Sequence, residues 1–372
     1  MKKQQPTPSE PAKIYFADIR VKRLEAKATL PAKFQRMLDC FPLESMFKDK
    51  RVAVKMHLGE NLGYSTVHPL FLRLLGEKLK NAGAIPFVTD GPKAVRSASA
   101  RGYTYETIGM PIVPVSGSSG EYFRRKRTRG EPSLPVEIAG EIYNADAMIV
   151  LSHVKGHGDC GFGGACKNIA MGCVTGRTRG EIHRLEGGLI WDRKACIACR
   201  KCVEVCPNNA ARFDVEKKEF SIFFHHCTYC QHCALACPKH AITIKERAYE
   251  KFMEGMCAVT ELILGTFPPD KILYINVLLN ITVYCDCWGM TTPSLVPDIG
   301  ILAGTDIVAI EKASLDLIKT ENFLPSGLPI GRKLGKGKHL FEKIHAKDPY
   351  VLVNLLEKRG LGTSRYQLIE VE

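Results

Sequence analysis

The chain has 372 residues, of which 45% are hydrophobic and 24% charged, an ordinary globular balance that excludes disorder and leaves room for one large domain or two moderate ones. Its 15 cysteines demand disulfides or metal, and its formal charge of +13 would suit nucleic acid or be partly offset by negatively charged metal clusters. The longest apolar stretch, "ILYINVLLNITVY" (272–284), is too short and too polar to cross a bilayer, so no membrane span is expected.

In chain order, the polar arm 1–12 has no apolar run behind it, so no secretory signal is expected, and a cytoplasmic location with reduced thiols follows. "KIYFADIR" (13–20) and "RVAVKMHL" (51–58) read as strands. "PLFLRLLGEKLKNAG" (69–83) reads as a helix opened by proline and stopped by Gly83, and "IPFVTDG" (85–91) as the next strand. Strand, helix and strand with short joins predict a mainly parallel α/β sheet. The basic run "RRKRTRG" (124–130) reads as a solvated loop; it has no interleaved aromatics, so nucleic acid is not an expected partner. "ADAMIVLSHV" (145–154) adds a buried strand. Beyond the cysteine-rich segment, "RAYEKFMEGMCAVTELILG" (247–265) reads as helix and "KILYINVLLNITV" (271–283) as strand. "TDIVAIEKASLDLIK" (305–319) reads as a helix capped by Thr305 or Asp306. The expected organisation is an α/β domain in two pieces, 13–189 and 246–372 with a C-terminal extension, interrupted by a small α+β module at 190–245.

That module carries the clearest chemistry. "CIACRKCVEVCP" and "CTYCQHCALACP" repeat the C-x2-C-x2-C-x3-C-P spacing of bacterial two-cluster ferredoxins. Three thiolates of each run wrap one 4Fe–4S cluster and the fourth reaches the other. This assigns Cys196, Cys199, Cys202 and Cys237 to one cluster, and Cys227, Cys230, Cys233 and Cys206 to the second. Zinc sites would need different separations. Ala198 and Arg200 stand where glycine is frequent, and His225, His226 and His232 surround the second loop.

"SHVKGHGDCGFGGACKNIAMGC" (152–173) is the densest glycine stretch. Its backbone could approach an anionic cofactor, with Lys155, Gly161, Gly163, Gly164 and Asn168 as contacts. The literal G-x-G-x-x-G lacks the helix and second strand of a dinucleotide-binding unit. Walker A fails because Cys166 stands where glycine should precede Lys167. Cys160, Cys166, Cys285 and Cys287 could form a third metal site, with His153, His157 and Cys173 nearby, or be thiols packed beside glycine. A Cys285–Cys287 disulfide is the least expected arrangement, given reduced thiols and so short a ring.

"KMHLGE", "FVTDGP", the glycine-rich stretch, the doubled ferredoxin motif, "CDCWG" and "VPDIGILAGTDIVAIEKASLDL", in this order, resemble the iron–sulfur centre proteins of domain-of-unknown-function family 362, from about 13 to 320. The resemblance implies an inserted two-cluster ferredoxin, no settled reaction, and "KGHGDCGFGGACKN" and "CDC" as family features. Where that family often has Ser-x-Asp-Pro-Val-Ala-Ile-Asp, this chain has "GTDIVAIE", with Ile307 and Glu311, so the acidic position keeps its charge at a different reach.

The expectation is an iron–sulfur oxidoreductase whose α/β domain holds a small-molecule substrate or cofactor, or docks a redox partner protein. Its pocket would draw on Lys55, His57, Glu60, Asp90 and the 285–287 loop, with His57, His157 and Lys167 as catalytic candidates. Each histidine follows a strand, and a hydrogen-bonded structural role is the alternative. A non-enzymatic electron carrier or an iron–sulfur maturation protein is the second expectation.

Overall fold

The computed structural model describes residues 10–60, 62–187, 189–206, 209–223, 232–244 and 249–372. Its centre is an eight-stranded sheet of β1 (Ala12–Asp18), β2 (Arg51–Lys55), β3 (Ile85–Asp90), β4 (Ile112–Pro114), β5 (Ala147–His153), β6 (Ile272–Leu278), β7 (Gly300–Gly304) and β8 (Tyr366–Glu370). The strand order is β8-β1-β7-β6-β5-β2-β3-β4, and only β7 runs antiparallel to its neighbours. The chain is an α/β protein with a large, mostly parallel sheet. Strands from both sides of the cysteine-rich segment pair directly, as Val277 of β6 does with His153 of β5.

Both faces of the central strands are buried, which accounts for near-continuous apolar runs such as "AMIVLSH". On β5, Met148 and Val150 enter one core while Ala147, Ile149 and Leu151 enter the other. Helices α1 (Leu30–Asp39) and α2 (Pro69–Asn81) cover the second face through Phe34, Met37, Leu72 and Leu75. Helices α3 (Ala165–Gly172), α4 (Tyr249–Leu264), α5 (Ile307–Leu317) and α6 (Tyr350–Lys358) cover the first, through Ile169, Phe252, Ile310 and Leu352.

The elements begin and end within a few residues of the sequence expectations, with two instructive differences. β2 stops at Lys55 and β6 at Leu278, so 56–58 and 279–283 leave the sheet and become loop at its edge. The basic run 124–127 is not a loop: it is the exposed strand Phe123–Arg127 of a hairpin with Pro135–Ala139, kept solvated by its charges. Of the two expected caps of α5, Asp306 is the one used, accepting from Ala309 N at 2.9 Å. The C-terminal region supplies α6 and β8, which pairs parallel with β1 at the sheet's edge.

Candidate functional site

Because β2, β3, β5 and β6 run parallel, their C-terminal ends share one rim, where ligands bind in open α/β sheets. Lys55, the last residue of β2, is buried, and its Nζ donates to Asp90 Oδ1 (3.0 Å), Met56 O (2.7 Å) and Asn168 Oδ1 (2.9 Å). Asp90, the last residue of β3, also contacts His57 Nδ1 at 2.8 Å and accepts from Leu58 N at 3.0 Å. Burial by itself would raise the Asp90 carboxyl, but Lys55 and His57 outweigh it and hold it far below the usual carboxylate range. With Nδ1 at Asp90, the other ring nitrogen of His57, Nε2, has no partner among the described residues. Gly172 stands where a Cβ would collide with Lys55 Cε, so a glycine lets the lysine lie flat under α3.

A second ionic knot anchors the "CDC" loop. The buried Asp286 takes His153 Nδ1 at 2.9 Å and Lys155 Nζ at 2.7 Å, and Lys155 also donates to Ser65 Oγ at 2.9 Å. Here too burial would raise the carboxyl, and His153 and Lys155 pull it well below its ordinary value. Lys155 is thus committed to Asp286 and does not line the cavity described below. The 3-10 turn Asp286–Trp288 brings the Cα atoms of Cys285 and Cys287 within 5.4 Å, and the two sulfurs are bonded. A disulfide is the arrangement least expected from the sequence; the tight turn sets a Cα spacing well inside the disulfide range. Lys167 Nζ lies 3.4 Å from Cys285 Sγ and 3.7 Å from Cys287 Sγ. Burial pushes the Lys167 ammonium below its ordinary pKa. His157 accepts from Asp159 N (3.0 Å) and Cys160 N (3.3 Å) at Nδ1, and has a ring nitrogen within 4.8 Å of both sulfurs.

The glycine-rich stretch is a hairpin, Lys155–His157 against Gly161–Gly163, running into α3. Its glycines meet protein: Gly161 faces Lys347, Gly163 the Lys167 stem, and Gly164 the Glu311 carboxylate. None of the three lines the cavity, which separates them from the expected cofactor contacts. The helix N-terminus that might have taken an anion is filled from within, since Glu311 Oε1 accepts from Cys166 N at 2.8 Å. Asn168, by contrast, does reach the cavity, donating to Leu151 O at 3.0 Å and Lys55 O at 3.1 Å and tying the ends of β5 and β2 together. Cys166 contacts Thr260 (3.3 Å) and does not line the cavity, whereas Cys160 borders it. Burial raises the Cys160 and Cys166 thiols strongly and pushes Cys173 up to about 12, so none is a ready thiolate.

A cavity of about 410 Å³ joins these parts, lined by Lys55, His57, Asp90, His157, Lys167 and Cys287 among others. Glu60 lines it too, paired with Lys93 at 2.5 Å. Sequence reasoning missed Arg96, Arg179 and His183, which also face it. They sit in short helices with no motif, and the excess of basic residues on the chain was their one available signal.

In the cysteine-rich segment, Cys196, Cys199 and Cys202 line a small cavity together with Cys237, 35 residues beyond Cys202 in sequence, walled by Trp191, Phe213 and Phe220. Cys237 Sγ accepts from Ala241 N at 3.3 Å, and Cys206 Sγ from Ala210 N at 3.2 Å. Soft donors converging on an apolar-walled space, with amide N–H groups aimed at sulfur, fit an iron–sulfur cluster. Ala198 and Arg200 adopt φ of 55° and 59°, the left-handed backbone that explains why glycine is frequent at such positions. Cys227, Cys230, His225 and His226 lie outside the described residues. No helix among the described residues is long and apolar enough to cross a membrane.

A family model described as "Domain of unknown function (DUF362)" matches residues 52–316. The chain belongs to this family. The DUF362 chain is also 37% identical over 59 residues to "Uncharacterized ferredoxin MJ0722" of Methanocaldococcus jannaschii, 15% of this chain and 77% of that protein. It is 37% identical over 79 residues to "NAD(P)H-quinone oxidoreductase subunit I" of Gloeobacter violaceus, 19% of this chain. The match spans 34% of the length of that relative. Both likenesses support a ferredoxin-like segment. Among solved structures, the lactate racemase apoprotein from Thermoanaerobacterium thermosaccharolyticum aligns at a TM-score of 0.34 and 13% identity, covering 74% of this chain and 53% of that one.

Proposed function

We propose that this DUF362 protein is an iron–sulfur oxidoreductase with a redox segment at 190–245 and a substrate cavity at the rim of the parallel sheet. The observation that carries the redox reading is the convergence of Cys196, Cys199, Cys202 and Cys237 on one small space. It supports a 4Fe–4S cluster held by those four residues, with a second held by Cys206, Cys227, Cys230 and Cys233. When bound, such clusters supply or accept electrons one at a time at low potential. The likeness to a ferredoxin favours this, and it equally suits a simple electron carrier.

The cavity favours the enzyme. His57, oriented by Asp90, can take or give a proton at Nε2. Lys167, Arg96 and Arg179 put positive charge around the space, suiting an anionic substrate or cofactor. Lys55 and Asn168 hold the rim in place through their bonds to Asp90 and to β5. Metal analysis and EPR on protein reduced without oxygen test the reading: about eight irons per chain are expected, falling to about four in Cys199→Ser. A protein without iron would overturn it. Substrate-dependent reoxidation of the reduced protein that is lost in His57→Ala, with iron unchanged, separates an enzyme from a carrier.

A further inference from the structure

Cys287 forms part of the cavity wall, while its bonded partner Cys285 lies beneath, 6% exposed. The bond closes a ring across one intervening residue, so it removes little chain entropy and adds little to stability. The loop does not need it, because Asp286 already fixes the turn through His153 and Lys155. The ammonium of Lys167 lies within 3.7 Å of both sulfurs, where it favours a thiolate once the bond opens. A disulfide that is structurally redundant, beside a cation and open to a cavity, has the features of a redox pair.

We propose that Cys285 and Cys287 cycle between disulfide and dithiol in the cavity wall, reduced by electrons from the iron–sulfur segment and reoxidised by exchange with a disulfide-bearing molecule in the cavity. The electron source rests on the reading above. Reduction consumes two electrons, delivered singly, and two protons, and breaks the sulfur–sulfur bond to leave two thiols. In the exchange, the Cys287 thiolate attacks one sulfur of the substrate disulfide and expels the other half as a thiol. Cys285 then attacks the Cys287 sulfur, releases the second half as a thiol and restores the original bond. Two electrons and two protons have passed to the substrate. Cys287 is the attacking residue because it faces the cavity, and Cys285 resolves because it is covered.

The test labels full-length anaerobic protein with N-ethylmaleimide and weighs the peptide that carries both cysteines. No label as purified, and two labels after either dithiothreitol or dithionite, are expected. A Cys199→Ser/Cys233→Ser variant should still respond to dithiothreitol but no longer to dithionite. Oxidised glutathione added to the reduced protein should restore the unlabelled peptide and release two thiols per chain. Lys167→Met should slow alkylation of the reduced pair about tenfold, and Lys167→Arg should recover most of the rate. A pair that stays unlabelled in excess dithiothreitol would overturn the proposal. So would a metal ion held by the reduced pair and lost in Cys287→Ser, or clusters that reduce while the disulfide does not. Protein that contains no iron would instead defeat the reading above, and the dithiothreitol and glutathione arms would then decide the pair by themselves.

Discussion

At the scale of single residues, the rim is a set of buried charges that neutralise one another. Asp90 answers Lys55 and also hydrogen-bonds His57, and Asp286 answers Lys155 and also hydrogen-bonds His153. Removing one member leaves the other charge unpaired out of water. Asp90→Asn should therefore destabilise the protein by about 3–5 kcal/mol, read as a lower urea midpoint at unchanged slope. Gly172→Ala pushes a methyl into Cε and Nζ of Lys55 and should cost about 1–3 kcal/mol on the same measurement, because the ammonium must shift among its partners. His57, Lys167 and Asn168 were recognisable in sequence because each follows a strand or sits in a glycine-rich run. Arg96, Arg179 and His183 were not, since their importance lies in where short helices point them.

At the scale of elements, α3 carries the difference between a glycine-rich pattern and its use. The pattern suggests an open cradle for an anion, yet the anion at the helix start is the side chain of Glu311 on α5. Gly164 has no side chain because the carboxylate occupies that space. Burial raises the Glu311 pKa from 4.5 to about 7, a rise that the N–H groups of Cys166 and Ala165 and the Asn276 amide only partly offset. The unfolded chain releases this proton near 4.5 and the folded one near 7, so between those values rising pH favours unfolding. The contribution to stability is complete below about pH 4.5 and falls by on the order of 3 kcal/mol above about pH 7. Glu311→Gln should flatten that part of the curve, and melting temperatures of the two proteins at pH 5 and pH 8 check it. Loss of the same amount in the variant would show that other groups set the slope.

At the scale of the whole molecule, two kinds of stabilisation meet in one chain. The eight-stranded sheet is enclosed by two extensive apolar cores, whereas the described part of the cysteine-rich segment has one small cluster of buried apolar residues, Ala211, Phe220, Cys233 and Ile242. So small a core needs metal to hold it. Iron removal by a chelator should open 190–245 to proteolysis, while the strands on either side stay paired and protected from hydrogen exchange. Joint unfolding of sheet and segment would argue against it. The parallel sheet and the ferredoxin-type spacing were legible along the chain, because strand periodicity and ligand spacing are local properties written over a dozen residues. The tertiary structure alone decided which side chains meet there: that Glu311 fills the helix start, that Cys285 bonds Cys287 beneath Lys167, and that Arg96, Arg179 and His183 face the same cavity. Those meetings join residues up to 145 positions apart, and only the pairing order of the strands brings them within bonding distance.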